Sequence, residues 1–393
     1  MANKIKINKT LLPLSWLYGW GVWVRNKLFD WKILPVEKFD IPVISIGNLA
    51  VGGTGKTPHT EYLIRLLSRK YRVAVLSRGY KRKTRGFILA DKNADSRSIG
   101  DEPYQMHRKF PEIMVAVDSD RRRGIRNLMD FPKIQRPEVI LLDDAFQHRY
   151  VKPSLSILLT DSRRPFYDDC LLPAGRLREP AKNSKRADII IFTKVPLPQP
   201  LPSRGGEQYS EMIKCAALLE LQSPPPLWAG GKGERYYTFF RYKGLLPVFP
   251  EENQIQKESI ERLKKESYSF LLLAGLAQPE DLVQYLEKYT SDLQTMIYPD
   301  HHDFSRKDIG EVTEKFNTIQ NKNKWIITSE KDAVRLMHNP HIQEEIKGLI
   351  YYLPIEVVFE PGQEELFTQK IDDHVRNFKR NRIMAEAADT RRH

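Results

Sequence analysis

The sequence predicts an α/β protein: a mostly parallel sheet, a second and smaller α/β domain, and an apolar N-terminal helix suited to a membrane surface. Three observations carry this. From Ile41 onward short apolar runs alternate with amphipathic segments, the pattern of strands joined by crossover helices. A stretch rich in loop formers, Pro196 to Lys243, separates that series from a second one. The 393 residues also exceed what a single hydrophobic core organises, so two domains are expected.

Taken in order, Leu11 to Val24 is apolar and carries three of the six tryptophans. It is short for a membrane span, which needs about 20 apolar residues. Its aromatics and the cations Lys4, Lys6, Lys9, Arg25 and Lys27 suit an interfacial helix; the alternative is a packing helix that covers the first domain. Strands are expected near Val43–Gly47, Arg72–Ser77, Ile113–Val117, Val139–Leu142, Leu155–Thr160 and Asp188–Thr193, with one more at Tyr236–Phe240. The second series comprises Phe270–Gly275, a helix from Pro279, Trp325–Thr328 and Leu349–Val358. After Asp372 a basic helix is expected to fray by Ala385. The implied partition is 1–35 for the N-terminal helix, 36–243 for the first domain and its connector, 244–371 for the second domain and 372–393 for the tail.

Composition excludes several classes. Hydrophobic residues at 41% and charged residues at 29% are ordinary for a chain that folds in water. Cys170 and Cys215 are too few for a disulfide framework and have no metal-ligand spacing, which fits a reducing cytosol. Arg25, Lys27 and Lys32 stand where a secretory signal would carry a small-residue cleavage site, so the N-terminus is expected to be retained. The net charge of +13 attracts anions, whether phosphorylated substrates or acidic lipid headgroups. Nucleic acid has no motif here beyond that charge, and no obligate protein partner is evident.

The most informative segment is Ala50, Val51, Gly52, Gly53, Thr54, Gly55, Lys56 and Thr57, set between an apolar strand and the amphipathic run His59–Leu67. Glycines let backbone N–H groups turn around phosphate oxygens, the helix N-terminus adds its dipole, Lys56 neutralises β- and γ-phosphates, and Thr57 can place a hydroxyl on Mg²⁺. Ala50 stands where the common pattern has glycine, so the loop is a variant. Carboxylates for the metal are expected at Asp143 and Asp144, at the carboxyl end of Val139–Leu142, where ligands of open α/β sheets bind. The guanine-reading pattern finds Thr193-Lys194-Val195 and then Pro196, without its carboxylate, so ATP is favoured over GTP. Val51 replaces the lysine of a class of dimeric regulatory ATPases. A small-molecule kinase is the reading that remains; a nucleotide-driven switch and a basic membrane adaptor are the rivals.

Other candidates depend on that loop. Asp101 and Glu102 could lie near a nucleophilic hydroxyl or simply start a helix. Asp300-His301-His302-Asp303-Phe304 could bind metal, shift a proton or cap a helix beginning near Ser305; adjacent histidines point in different directions, which disfavours a two-ligand metal site. Leu172 to Pro180, with Arg176 and Arg178, is a basic loop able to clamp phosphate. Arg121-Arg122-Arg123 suits an anion or a solvated face. Thr328 or Ser329 caps a helix.

Together these residues resemble the tetraacyldisaccharide 4′-kinases, the lipid A 4′-kinases of Gram-negative bacteria. The resemblance rests on Gly47-Asn48, Val51 to Pro58, Leu76 to Tyr80, Gly100 to Pro103, Asp143 to His148, Leu172 to Gly175 with Leu177 to Pro180, Pro299 to His301, and Thr328 with Glu330 to Asp332. This chain interposes Ser329 after the threonine and carries Gly275-Leu-Ala-Gln-Pro279 where Ile-Gly-Asn is commoner. The resemblance implies two α/β/α domains with catalysis in the cleft between them. It implies phosphoryl transfer from ATP to the 4′-hydroxyl of a tetraacyl glucosamine disaccharide 1-phosphate, giving the lipid A precursor lipid IVA. It also implies peripheral attachment to the cytoplasmic face of the inner membrane, with its anionic lipids. On it, Asp101 paired with His301 accepts the hydroxyl proton, and Thr57 and Asp144 hold Mg²⁺. Asp143 and Glu179 support the metal or phosphates, and His148 and Arg178 lie near the transferring group.

Overall fold

The computed structural model describes residues 7–195, 233–252 and 260–390. The connector from Pro196 to residue 232 lies outside them, as do Lys4, Lys6 and Cys215. In chain order the strands are β1 (Val43–Asn48), β2 (Val73–Ser77), β3 (Ile88–Leu89), β4 (Met114–Val117), β5 (Val139–Leu142), β6 (Leu155–Asp161), β7 (Ile189–Thr193), β8 (Glu234–Tyr242), β9 (Leu246–Pro247), β10 (Ser269–Ala274), β11 (Leu293–Ile297), β12 (Lys324–Ser329), β13 (Ile350–Leu353) and β14 (Ile355–Phe359). They divide between two compact units.

The larger unit draws on Met1–Ala94, Met106–Phe240 and Val357–His393. Its nine-stranded sheet runs β14-β8-β7-β6-β1-β5-β2-β4-β3. β1 pairs in parallel with β5 and β6, with Ser45 opposite Leu142 and Ser156. Every residue of β1, β5, β6 and β7 is buried, because helices cover both faces of a central parallel strand. The two faces follow from strand alternation. Ile44 and Ile46 point into one core with Leu63, Ile64 and Leu67 of the helix Lys56–Leu67. Val43 points into the other with Ile125 and Leu128 of the helix Arg121–Met129. Leu63→Ala would leave a cavity beneath the loop-bearing helix at a cost of about 2–5 kcal/mol. The C-terminal helix Gln363–Thr390 docks Phe367, Ile371 and Val375 into the first of these cores. It is helical to Thr390, past the expected fraying at Ala385.

The smaller unit comprises Asp95–Gln105 and Arg241–Glu356, with a sheet ordered β11-β10-β12-β13-β9. Leu271, Leu273 and Ile326 pack against Ile309, Val312 and Phe316 of the helix Arg306–Thr318; Phe270, Leu272 and Ile327 face Leu282 and Leu286. The run Leu349–Val358, read as one strand, divides at Pro354 into β13 and β14, which belong to different sheets. Proline supplies no N–H to a ladder and favours such a break.

The N-terminal helix Leu12–Asp30 has two unlike faces. On one, the Ser15 hydroxyl donates to Leu171 O at 3.0 Å, Tyr18 Oη donates to Arg178 O at 2.9 Å, and Phe29 is buried edge-on against Tyr150. On the other, Trp16 (72% exposed), Leu17 and Trp20 lie open. Among the described residues no helix is long and apolar enough to cross a membrane.

Candidate active site

The expected phosphate loop leaves the carboxyl end of β1 and enters the helix Lys56–Leu67. Gly55 is the helix N-cap at φ +83°, and a Cβ there would lie 2.4 Å from the Phe240 ring, so only glycine fits. The loop is braced on several sides. Asn48 Nδ2 donates to Thr54 Oγ1 at 2.7 Å, and Thr193 Oγ1, at the end of β7, donates to Thr54 O at 2.9 Å. Val51 N donates to Arg176 O at 2.8 Å and Arg178 N to Leu49 O at 2.7 Å, an antiparallel bridge that ties the basic loop to the phosphate loop.

His59, which motif reasoning passed over, holds the turn from beneath. Its Nδ1 lies 2.7 Å from Gly55 O, which can only accept, so Nδ1 carries the proton. Nε2 is then the acceptor for the Thr238 hydroxyl at 3.0 Å. Burial pushes the imidazole down to about 4 and keeps it neutral.

Strand order places β5 beside β1 and so brings Asp143 and Asp144 to the loop. Their roles differ. Asp143 is buried and accepts from Thr60 Oγ1 (3.2 Å) and Ser77 Oγ (3.3 Å). Asp144, at φ +45°, lies 3.7 Å from Lys56 Nζ and 3.2 Å from Arg178. Burial alone would raise its carboxyl, but Lys56 and Arg178 outweigh that and hold it below the usual range, as a carboxylate. Thr57 is half-buried in the first turn.

Glu179 and His148 are placed further back. Glu179 Oε2 accepts from Arg186 at 2.5 Å and from Asn183 at 2.7 Å, while Oε1, buried and without a hydrogen bond, lies 3.9 Å from Arg25. Burial, then repulsion from Arg121, pushes His148 down to about 4, so it is a neutral imidazole. Arg121, offered as a solvated face, is instead buried. Desolvation lowers it to about 10, still charged, against the opposing pull of Asp143 and Asp144.

The smaller unit brings together Asp101 and His301, 200 residues apart. Asp101 opens the helix Asp101–Lys109 and lies 3.2 Å from His301 Nδ1, whose backbone is left-handed at φ +60°. Arg335, absent from the expected set, grips Asp101 Oδ2 at 2.5 Å and, through its other nitrogen, Asp332 at 3.0 Å. Burial pushes the Asp101 carboxyl up, but His301 and Arg335 together outweigh it and hold it at about 2. On the far side Lys331 Nζ lies 2.9 Å from His301 Nε2 and 2.8 Å from Asp300. The Lys331 ammonium and the Arg335 guanidinium, whose Nη2 lies 3.0 Å from Nδ1, only donate, whereas the Asp101 carboxylate only accepts; Nδ1 alone has that acceptor beside it and is the nitrogen placed to carry the proton, which leaves Nε2 as an acceptor. Ser329 is the N-cap of the helix Glu330–Leu336, which sets Lys331 and Arg335, four residues apart, on one face. Among the described residues Glu102 takes no part in this contact; His302 joins it through its carbonyl, which accepts from Arg335 Nη1 at 3.4 Å, while its Nε2 pairs with Asp308 at 3.0 Å. Among the described residues no three His, Cys, Asp or Glu side chains gather as a preformed metal site.

Residues 7–376 match the family described as tetraacyldisaccharide-1-P 4'-kinase. The tetraacyldisaccharide 4'-kinase of Parabacteroides distasonis is 50% identical over 374 residues, 95% of this chain and 96% of the relative. That of Phocaeicola vulgatus is 48% identical over 381 residues, 97% of this chain and 98% of the relative. A solved structure of LpxK from Aquifex aeolicus, an "apo" form in complex with ATP, superposes with a TM-score of 0.68 at 28% identity, covering 94% of this chain and 99% of that one. The α/β fold agrees with that of this neighbour, and the chain belongs to the tetraacyldisaccharide-1-P 4'-kinase family.

Proposed function

We infer that this chain transfers the γ-phosphoryl group of ATP to the 4′-hydroxyl of a tetraacyl glucosamine disaccharide 1-phosphate, forming the lipid A precursor lipid IVA. Family membership and the ATP complex of the Aquifex aeolicus neighbour support this reading. The observation that carries it is the loop Gly52–Thr57 with Lys56 set against an ionised Asp144.

On this reading the loop N–H groups and Lys56 hold the β- and γ-phosphates, and Arg178 faces the transferring group. The hydroxyl of Thr57 and the carboxylate of Asp144 are hard oxygen donors of the kind Mg²⁺ takes, since that ion uses one or two carboxylates and keeps several waters. Bound there, Mg²⁺ would offset charge developing on the phosphate oxygens. Asp143 and Glu179 act from behind: the first ties the strand end to Thr60 and Ser77, the second fixes Arg186. His148, held neutral, adds no repulsion for a cation near the transferring group.

Asp101, held at about 2, is a weak base, whereas His301 Nε2 offers a lone pair. We therefore place the proton transfer on His301, with Asp101 fixing its tautomer. The substrate hydroxyl takes the position of the Lys331 ammonium, which Asp300 retains. The 4′-oxygen forms its bond to γ-phosphorus as the bond to the β,γ-bridging oxygen breaks. The proton passes to His301 and ADP leaves. The open tryptophan face of Leu12–Asp30 rests on the anionic cytoplasmic surface of the inner membrane, where the acylated substrate resides. Incubation with γ-labelled ATP and the disaccharide 1-phosphate in detergent should give a labelled lipid; no transfer in any detergent overturns the assignment.

A further inference from the structure

Two cations flank the phosphate loop and have no part in the chemistry above. Arg176 belongs to the basic loop, where its N–H is held by Asp169 at 3.2 Å and its carbonyl accepts from Val51 at 2.8 Å. Its guanidinium Nη1 comes within 3.9 Å of where a Cβ on Gly52 would stand. It is half-buried, and among the described residues it makes no ion pair, in contrast to Lys56 and Arg178 on Asp144.

Lys194 approaches from β7. Its ammonium lies 4.0 Å from the corresponding point on Gly53 and 3.4 Å from Asp161. The backbone at Lys194 is left-handed, φ +56°, which a non-glycine residue adopts only where its surroundings impose it. Those surroundings are visible. Ser162 N donates to Thr193 O at 2.9 Å, Ser162 Oγ to Lys194 O at 3.1 Å, and Val195 N to Thr238 O at 3.0 Å, so the turn is pinned on both sides. Thr193 meanwhile ties itself to Thr54 of the phosphate loop. The strained turn thus aims a cation at the loop from a strand two places removed from β1. The dipeptide Thr193-Lys194, which looked like a guanine reader lacking its carboxylate, has a use in this position.

We propose that Arg176 and Lys194 grip the phosphate chain of the nucleotide from either side of Gly52–Gly53, adding ground-state affinity for ATP and ADP beyond Lys56. Both are set by backbone contacts that do not involve Asp144, so they hold the nucleotide alike before and after transfer. An interaction of that kind lowers KM and leaves kcat unchanged. Arg176 offers a planar fork suited to two phosphate oxygens, and Lys194 a point charge partly balanced by Asp161.

The test measures ADP binding by calorimetry and steady-state transfer in the full chain. Arg176→Met and Lys194→Met should each weaken ADP and raise the KM for ATP by about tenfold, with kcat at saturating ATP within about twofold and the KM for the lipid acceptor unchanged. Lys194→Arg should recover most of the loss. A merely structural role would lower the melting temperature without nucleotide and move both KM values together. Should Lys194→Met fail to fold, Arg176→Met alone decides, since that side chain is half-exposed. The proposal is overturned if ADP affinity in these variants stays within about twofold of the parent, or if kcat falls while the KM for ATP does not move.

Discussion

The phosphate loop and the Asp101–His301 cluster both concentrate charge, but they fix it by different means. The loop is one continuous segment whose backbone is held by β7 and the basic loop and whose Thr54 side chain is tied to Asn48 of β1, so its shape does not depend on what the side chains of Lys56 and Thr57 contact. The cluster is made of side chains from three separate segments and depends on Arg335 to keep Asp101 facing His301. The loop should therefore tolerate substitutions beside it with changes in affinity, while the cluster should respond to substitution with changes in turnover.

The largest effect is expected at Lys56. On the proposed reading Lys56→Met removes the charge that meets the β- and γ-phosphates, and it should lower kcat by about 10³-fold, measured as labelled lipid formed per minute. His301→Gln should lower kcat by about 10²-fold or more through loss of the proposed base. A similar fall in ATP affinity in that variant would break the division of labour between the two regions.

Arg335→Met removes the guanidinium that grips Asp101. It should lower kcat by about tenfold and change the acid stability of the fold. The sign follows from Asp101, whose native carboxyl lies below its ordinary 3.8, at about 2. Its stabilising contribution is present above the unfolded value and is lost as pH falls from about 4 toward 2. Without Arg335 the native carboxyl moves back up, so acid unfolding followed by circular dichroism should begin at higher pH. An unchanged acid midpoint would remove Arg335 from this role.

The smallest effect on chemistry is expected at the N-terminal helix. Trp16→Ser with Trp20→Ser should reduce sedimentation with vesicles containing anionic lipid by about tenfold and leave ADP binding unchanged. Both side chains are exposed, so the fold should survive.

The same contrast separates what the sequence alone shows from what it hides. The loop was legible because its chemistry lies in eight consecutive residues between a strand and a helix, and Asp143-Asp144 because they end an apolar run. The pairing of Asp101 with His301 leaves no mark in local pattern; only resemblance to a family supplied it. Arg335 was missed although its i,i+4 spacing from Lys331 put both on one helix face, because nothing local says that this face meets Asp101. His59 read as an ordinary helix residue, since its function comes from Thr238 far along the chain. β11 was missed because Leu293–Ile297 is largely half-exposed and carries no continuous apolar run. The inclusion of Asp95–Gln105 in the smaller unit depends on contacts made across long sequence separations, which periodicity does not encode. Pro354, by contrast, was a visible signal for dividing β13 from β14.

In the proposed reaction the loop holds the phosphoryl donor while His301 takes the acceptor's proton. This division of labour is tested most directly by measuring ATP affinity and single-turnover lipid phosphorylation side by side in His301→Gln. ATP affinity should stay within about twofold of the parent while transfer slows by about 10²-fold or more. Transfer at the parental rate, or a loss confined to ATP affinity, would contradict it.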